Sequence, residues 1–469
     1  MRNKSFLNLE GLTERVTPAV SGISFMGGNL SVRLDSQGGT LSLLGDGNNY
    51  KIEFQSLTAL AAKSIGNTAG YNVTGSISVL SANGNDIINI EPQAAGDVFV
   101  VPGNLNINTG NGSDTIFILG GADAGTATIA GNVAINAGNG ADNLNLSTGA
   151  AANTLTINGR LNFIGGNGLD SVASDNGNLE INGLTTLNQV NVLTLNPDAA
   201  ATNTVNLVGL QISNPMAESS ANNITLTGDA TANAVTINGS FNYTGNMRDD
   251  NIAIDGATIL GNTVLNLYGA DIDNTVTLAD NADTLLQGNL TIIAGNGADT
   301  IVSDGTNDTT INGSVSMNLG AGTNNVTLDT ATNAGGIAGS MTVYGGNGND
   351  IINIGGISGF SINGSLTVSL GNTVGTSADQ NELELTDTTV GGGVSYTGGS
   401  GIDSVTLDGT TTVANSLNVY LGAGPDELTL NAATVDVGAL FVDFGIDLVD
   451  DLFTNNSTQD FDIQIRNFP

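Results

Sequence analysis

An aspartate returns every 28 residues at Asp86, Asp114, Asp142 and Asp170. The same frame, an apolar pair upstream and aliphatics downstream, fits Asp250, Asp299, Asp350, Asp403 and Asp426. Asn222, Asn274, Asn324 and Asn381 take the aspartate's place in weaker copies. Carboxylates at a fixed interval could hold a hard cation, cap turns or, in pairs, transfer protons. Calcium takes six to eight oxygens, so one carboxylate per repeat would have to share ions along a stacked column. Asp86, Asp114, Asp142, Asp170, Asp299 and Asp350 are the candidates for such a column. Carboxylates stacked about 4.8 Å apart repel by about 3.5 kcal/mol at an effective dielectric of 20, and by about 1 kcal/mol in water. A column of them therefore predicts cations or full solvation. The competing role is a turn cap, in which each side chain accepts N–H groups of its own turn and asparagine serves equally well. Four asparagines in the series favour capping.

Catalysis is the second chemistry to weigh. With no His and no Cys, Ser/His and Cys/His nucleophiles are excluded, as are disulfides and thiolate metal sites. A lyase would need a basic residue on an outer face. Lys4, Lys51 and Lys63 all precede the repeats, and Arg160 and Arg248 stand alone within them. Glycoside hydrolysis needs only two carboxylates. Glu382 and Glu384 flank Leu383 and Leu385, so on a strand both point outward, about 7 Å apart, a separation that suits inversion. Asp249, Asp271 and Asp273 are further outward carboxylates. A solvated strand face explains all five more simply, since no aromatic platform for a sugar lies nearby. Outward Thr225, Thr227, Thr275 and Thr277 suggest an ice-binding or crystalline-surface face, but their column mixes Asn, Ser and Ala with Thr.

The elements that carry these residues follow from the period. Eleven residues before the reference aspartate stands Gly75, Gly103, Gly131 or Gly159. Apolar pairs precede it, such as Leu105 and Ile107 or Leu161 and Phe163, and others follow, such as Ile116 and Ile118 or Leu144 and Leu146. Alternation with period two marks half-buried strands, here three per repeat, separated by turns rich in Gly, Asn and Asp. A sandwich of hairpins has no reason to place one residue type at a constant offset. Stacked coils do. The reading is an all-β, single-stranded parallel β-helix (solenoid), expected to be right-handed, with about fourteen coils of roughly 22–31 residues. Residues 71–431 form the coils, 21–70 an N-terminal cap and 432–469 a C-terminal cap. Residues 175–220 are irregular, and the loops Asp198–Asn203 and Leu370–Asn381 are where a specific partner would bind.

Composition agrees. Aromatic residues make up 4% of the chain and Trp is absent, too few for an ordinary core but enough for coils that stack small aliphatics. The 44 acidic residues against 9 basic ones give a net charge of −35, which repels nucleic acid and anionic lipid and favours cations. No apolar run long enough to cross a membrane as a helix occurs.

Two resemblances add to this. Turns such as Gly165-Gly166-Asn167-Gly168-Leu169-Asp170 and Gly345-Gly346-Asn347-Gly348-Asn349-Asp350 resemble the Gly-Gly-x-Gly-x-Asp repeat of calcium-binding RTX proteins. Here the motif occurs once per coil, not in immediate tandem. The segment from Leu7-Asn8-Leu9-Glu10 through Glu14-Arg15 to Pro18-Ala19 resembles the N-terminal tag of exported planctomycete-type proteins, which marks residues 1–20 as an export or sorting tag. That resemblance implies an extracellular or cell-surface location. The expected function is a non-catalytic structural or adhesive scaffold that contacts carbohydrate, surface macromolecules or its own copies. The alternatives are a calcium-binding RTX-like module and a polysaccharide-active enzyme, a glycoside hydrolase before a lyase.

Overall fold

A computed structural model of the chain describes residues 20–36, 38–56, 63–119, 125–148, 153–197, 203–214, 220–228, 234–269, 272–304, 307–330, 335–373, 380–431, 436–445, 451–457 and 463–467. All regular structure among them is β-strand, and the strands stack in parallel into a solenoid of about 13 turns. A turn has three faces. In one turn these are Thr126–Ile129, Val133–Asn139 and Asn143–Leu146. Each strand pairs with its equivalent one turn before and one turn after. Thr126–Ile129 lies between Val98–Val101 and Thr154–Ile157, and Thr115–Ile118 lies between Asp86–Pro92 and Asn143–Leu146.

The register explains the sequence pattern. Ile107, Ile135 and Phe163 are direct partners across successive turns, as are Ile88, Ile116, Leu144 and Val172. All are buried, and the polar residues between them face outward. Burying each such side chain contributes about 1.5–3 kcal/mol, so the core is a set of apolar columns and needs no large aromatic residues. Ser174, which breaks the aliphatic pattern, is buried in its column with its hydroxyl unpaired.

Close approach of the turns explains the recurring glycine. The Gly131 N–H donates to the Gly103 carbonyl at 3.0 Å, and a Cβ on Gly131 would meet that oxygen at 2.7 Å. In the next corner, Gly140 has φ +137° and its Cβ would lie 1.9 Å from the Gly112 carbonyl. Only glycine fits there.

Both flanking regions join the stack. Val20–Met26 and Asn49–Ser56 fold back antiparallel onto Asn29–Leu34 and Gly39–Asp46. Those two inner strands in turn pair in parallel with Ile77–Leu80 and Asp86–Pro92 and so belong to the first turn. At the other end, Asp436–Asp443, Leu452–Asn455 and Ile463–Arg466 continue the parallel pairing. In the irregular region, Asn178–Asn188 and Thr204–Ser213 run through a corner and serve two faces each, with a register shift between Ile181 and Leu184. Residues 215–219 of this irregular region lie outside the described residues, as does the N-terminal tag up to residue 19.

Candidate functional site

The recurring aspartates point into the corner that precedes each third-face strand. They are not solvated, and the ladder N–H groups they accept belong to the neighbouring turn; Asp403 also faces the Gly399 N–H of its own turn. Asp86, Asp114, Asp142, Asp170, Asp250, Asp299, Asp350, Asp403 and Asp426 are at most 1% exposed. The Asp86 N–H donates to Asp114 Oδ1 at 2.7 Å, Asp114 N–H to Asp142 Oδ1 at 2.7 Å, and Asp142 N–H to Asp170 Oδ1 at 2.8 Å. Each carboxylate thus caps the equivalent residue of the preceding turn. The own-turn cap expected from local propensity gives way because stacking brings a free N–H of the neighbouring turn within reach.

The ladder runs on through Asn191, Asn222, Asp250, Asn274, Asp299, Asn324, Asp350, Asn381, Asp403 and Asp426 to Asp451. From Asn222 to Asp403, Asn and Asp alternate. There the amide of each asparagine donates to the next aspartate, as Asn324 Nδ2 does to Asp350 Oδ1 at 2.7 Å. Asn191 was missed in the sequence because its coil is 21 residues long and lacks the Gly-rich turn. The apolar pair Leu193 and Leu195 behind it was the available signal.

Two tyrosines that read as apolar core residues also join. Tyr243 Oη donates to Asp250 Oδ1 at 2.5 Å and Tyr396 Oη to Asp403 Oδ1 at 2.7 Å. Burial, then the adjacent carboxylate, raises both phenols well above their ordinary range and keeps them protonated donors. The second carboxylate oxygens of Asp114, Asp142, Asp250, Asp299, Asp350 and Asp403 are buried and accept no hydrogen bond. Desolvation pushes Asp86, Asp142, Asp250 and Asp350 up to about 6 and raises Asp114, Asp299 and Asp403, against the opposing hydrogen bonds.

This donor set does not fit calcium. One oxygen of each aspartate already accepts an N–H or an amide, and the side chain as a whole is sealed from solvent. The turn carbonyls are engaged as well: Gly110 and Asn139 accept Asn139 N–H and Gly112 N–H from neighbouring turns. Among the described residues no group of three or more acidic side chains gathers at metal-binding spacing. Calcium needs six to eight oxygens gathered around one point, which these buried, already engaged carboxylates do not supply.

Exposed polar residues form further ladders. Asn83, Asn111, Asn139 and Asn167 stack amide to amide. At the glycine corner, the Asn104 N–H donates to Ser76 Oγ, Asn132 N–H to Asn104 Oδ1 and Arg160 N–H to Asn132 Oδ1. Glu382 and Glu384 do share the outer side of strand Gln380–Val390, between Ile351 and Asn353 on one turn and Ser404 and Thr406 on the next. Glu382 accepts from Gln380 and Glu384 from Thr386, and no aromatic residue is among these neighbours. Asp249 is exposed, Asp273 accepts the Ala298 N–H, and Asp271 lies outside the described residues.

The outer side of the second face is different. From Ser78 to Tyr420, no outward residue of its stacked strands is charged; Asn106, Asn162, Gln211, Thr342 and Asn418 are representative. A shallow groove crosses it over Ser78, Asn106, Ala134 and Asn162. Tyr344 and Tyr420, 50% and 43% exposed, stand in one column of this face, and Tyr420 packs on Phe441 at 5.3 Å, with Arg466 over the Phe441 ring. Most of the two partner loops, residues 198–202 and 374–379, lies outside the described residues. Comparison with known proteins gives no match to a family model, a curated protein or a solved structure.

Proposed function

We propose that this chain is a non-catalytic extracellular or cell-surface scaffold, an adhesive rod that presents its second face to uncharged carbohydrate. The observation that carries the reading is the absence of charge along that face in a chain of net charge −35. Its amides and hydroxyls can donate to and accept from sugar hydroxyls, and half-exposed tyrosines offer apolar ring faces in the same column. Weak contacts repeated along many turns add up by multivalency. The ladders support a scaffold for a second reason: the Asp, Asn and Gly residues that first suggested chemistry hold one turn to the next.

The test is co-sedimentation of the purified chain with insoluble uncharged polysaccharides and, in parallel, with anionic ones. Retention on the uncharged set, reduced at least fivefold in a Tyr344→Ala/Tyr420→Ala variant, is the expected result. Retention only on anionic polymers, or equal retention of the variant, overturns it. Antibody labelling of intact producing cells checks the location; signal that appears only after lysis is incompatible with a surface rod.

A further inference from the structure

The ladder is not uniform along the rod. From Asn222 to Asp403 amide and carboxylate alternate, and Asp403, Asp426 and Asp451 make a shorter run at the far end, whereas Asp86, Asp114, Asp142 and Asp170 occupy four successive turns with no asparagine between them. We propose that this unbroken run is a proton-binding column that fastens the turns in mildly acidic surroundings and loosens them as pH rises.

The geometry gives three reasons. Successive carboxylates are about one strand spacing, roughly 4.8 Å, apart. They are shielded from water, and the second oxygens of Asp114 and Asp142 accept no hydrogen bond. The groups facing them offer little relief. Asp86 faces Ser81, the Gly39 N–H, Asp35 and Asp114; Asp114 faces Asp86, Asp142 and Thr109; Asp142 faces Asp114 and Asp170. No lysine or arginine acts on Asp86, Asp114 or Asp142 among the described residues. A proton taken from solvent by an unpaired oxygen neutralises the group and leaves Oδ1 to accept the ladder N–H. No other bond changes.

Burial accordingly raises all three, Asp86 and Asp142 to about 6, while an unfolded aspartate titrates near 3.9. A folded pKa above the unfolded one means the folded chain binds the proton more tightly. The added stability is complete below about 4 and is lost as pH rises through about 6.

The experiment is thermal melting of the full chain from pH 8 to pH 5 in 0.5 M NaCl, which screens exposed charge but not the buried column. The melting temperature is expected to rise by several degrees on acidification. An Asp114→Asn/Asp142→Asn variant, which extends the Asn/Asp chemistry of the later turns into this run, should melt higher at pH 8 and respond less to acid. The exposed Glu180→Gln control should match the parent. A parent melt that is flat or falls on acidification overturns the proposal. So does a double variant that keeps the parent's pH slope, or one that fails to fold at pH 8.

Discussion

A buried carboxylate is tolerated where its oxygens find donors, and the donors differ from turn to turn. Asp250 has both the Asn222 amide and the Tyr243 hydroxyl on one oxygen. Removing the phenol in Tyr243→Phe should therefore destabilise the chain by about 1–2 kcal/mol at pH 8. The donor favours ionised Asp250, whose carboxyl is pushed up to about 6, so the loss should shrink at pH 5, where that carboxyl is protonated in both proteins. Urea unfolding at the two pH values measures the difference; an equal loss at both would mean that the hydroxyl only fills space. The aspartate period was legible in the sequence, but this partnership was not. Alternation identifies a side chain as inward and cannot say that its tip reaches a polar atom seven residues on.

The strands and corners are held by direct backbone approach, which makes some positions intolerant for reasons unrelated to chemistry. A Cβ on Gly131 would sit 2.7 Å from the Gly103 carbonyl oxygen and closer still to the Asn104 side chain. Gly131→Ala should cost about 1–3 kcal/mol, and Gly131→Val more, because two turns must separate. Ala134→Ser, three residues on but outward, should stay within about 0.5 kcal/mol. Chemical denaturation of the three variants checks the order. These glycines stood out in the sequence because the offset from Asp142 is constant over four coils. Where the chain keeps the corner glycine, Gly183 against Gly159, but shortens the coil and drops the Gly-rich turn after Asn188, the 28-residue template loses its register, and Asn191 was lost with it. The direction of the caps was hidden for a related reason: local turn propensity describes one coil, and the hydrogen bond belongs to two.

For the whole molecule, the distribution of charge decides how cations act. Nine of the acidic residues are sealed in the column, and the outward second face carries none from Ser78 to Tyr420, so much of the remaining charge lies at other corners, loops and ends. Exposed charge is screened by any salt, with a Debye length that falls from about 10 Å at 0.1 M to about 3 Å at 1 M. Self-repulsion at −35 therefore predicts that melting temperature rises with sodium chloride. Calcium at 5 mM should give no more than a few degrees beyond sodium at matched ionic strength, and magnesium should equal it, because neither ion reaches the ladder oxygens. Scanning calorimetry with each salt and with chelator distinguishes the cases. A calcium-specific rise of ten degrees or more would place calcium on oxygens outside the ladder or force the aspartates to abandon their N–H partners. The second outcome would also shift the amide resonances of Asp86 and Asp114, so the two are separable by measurement on the same sample.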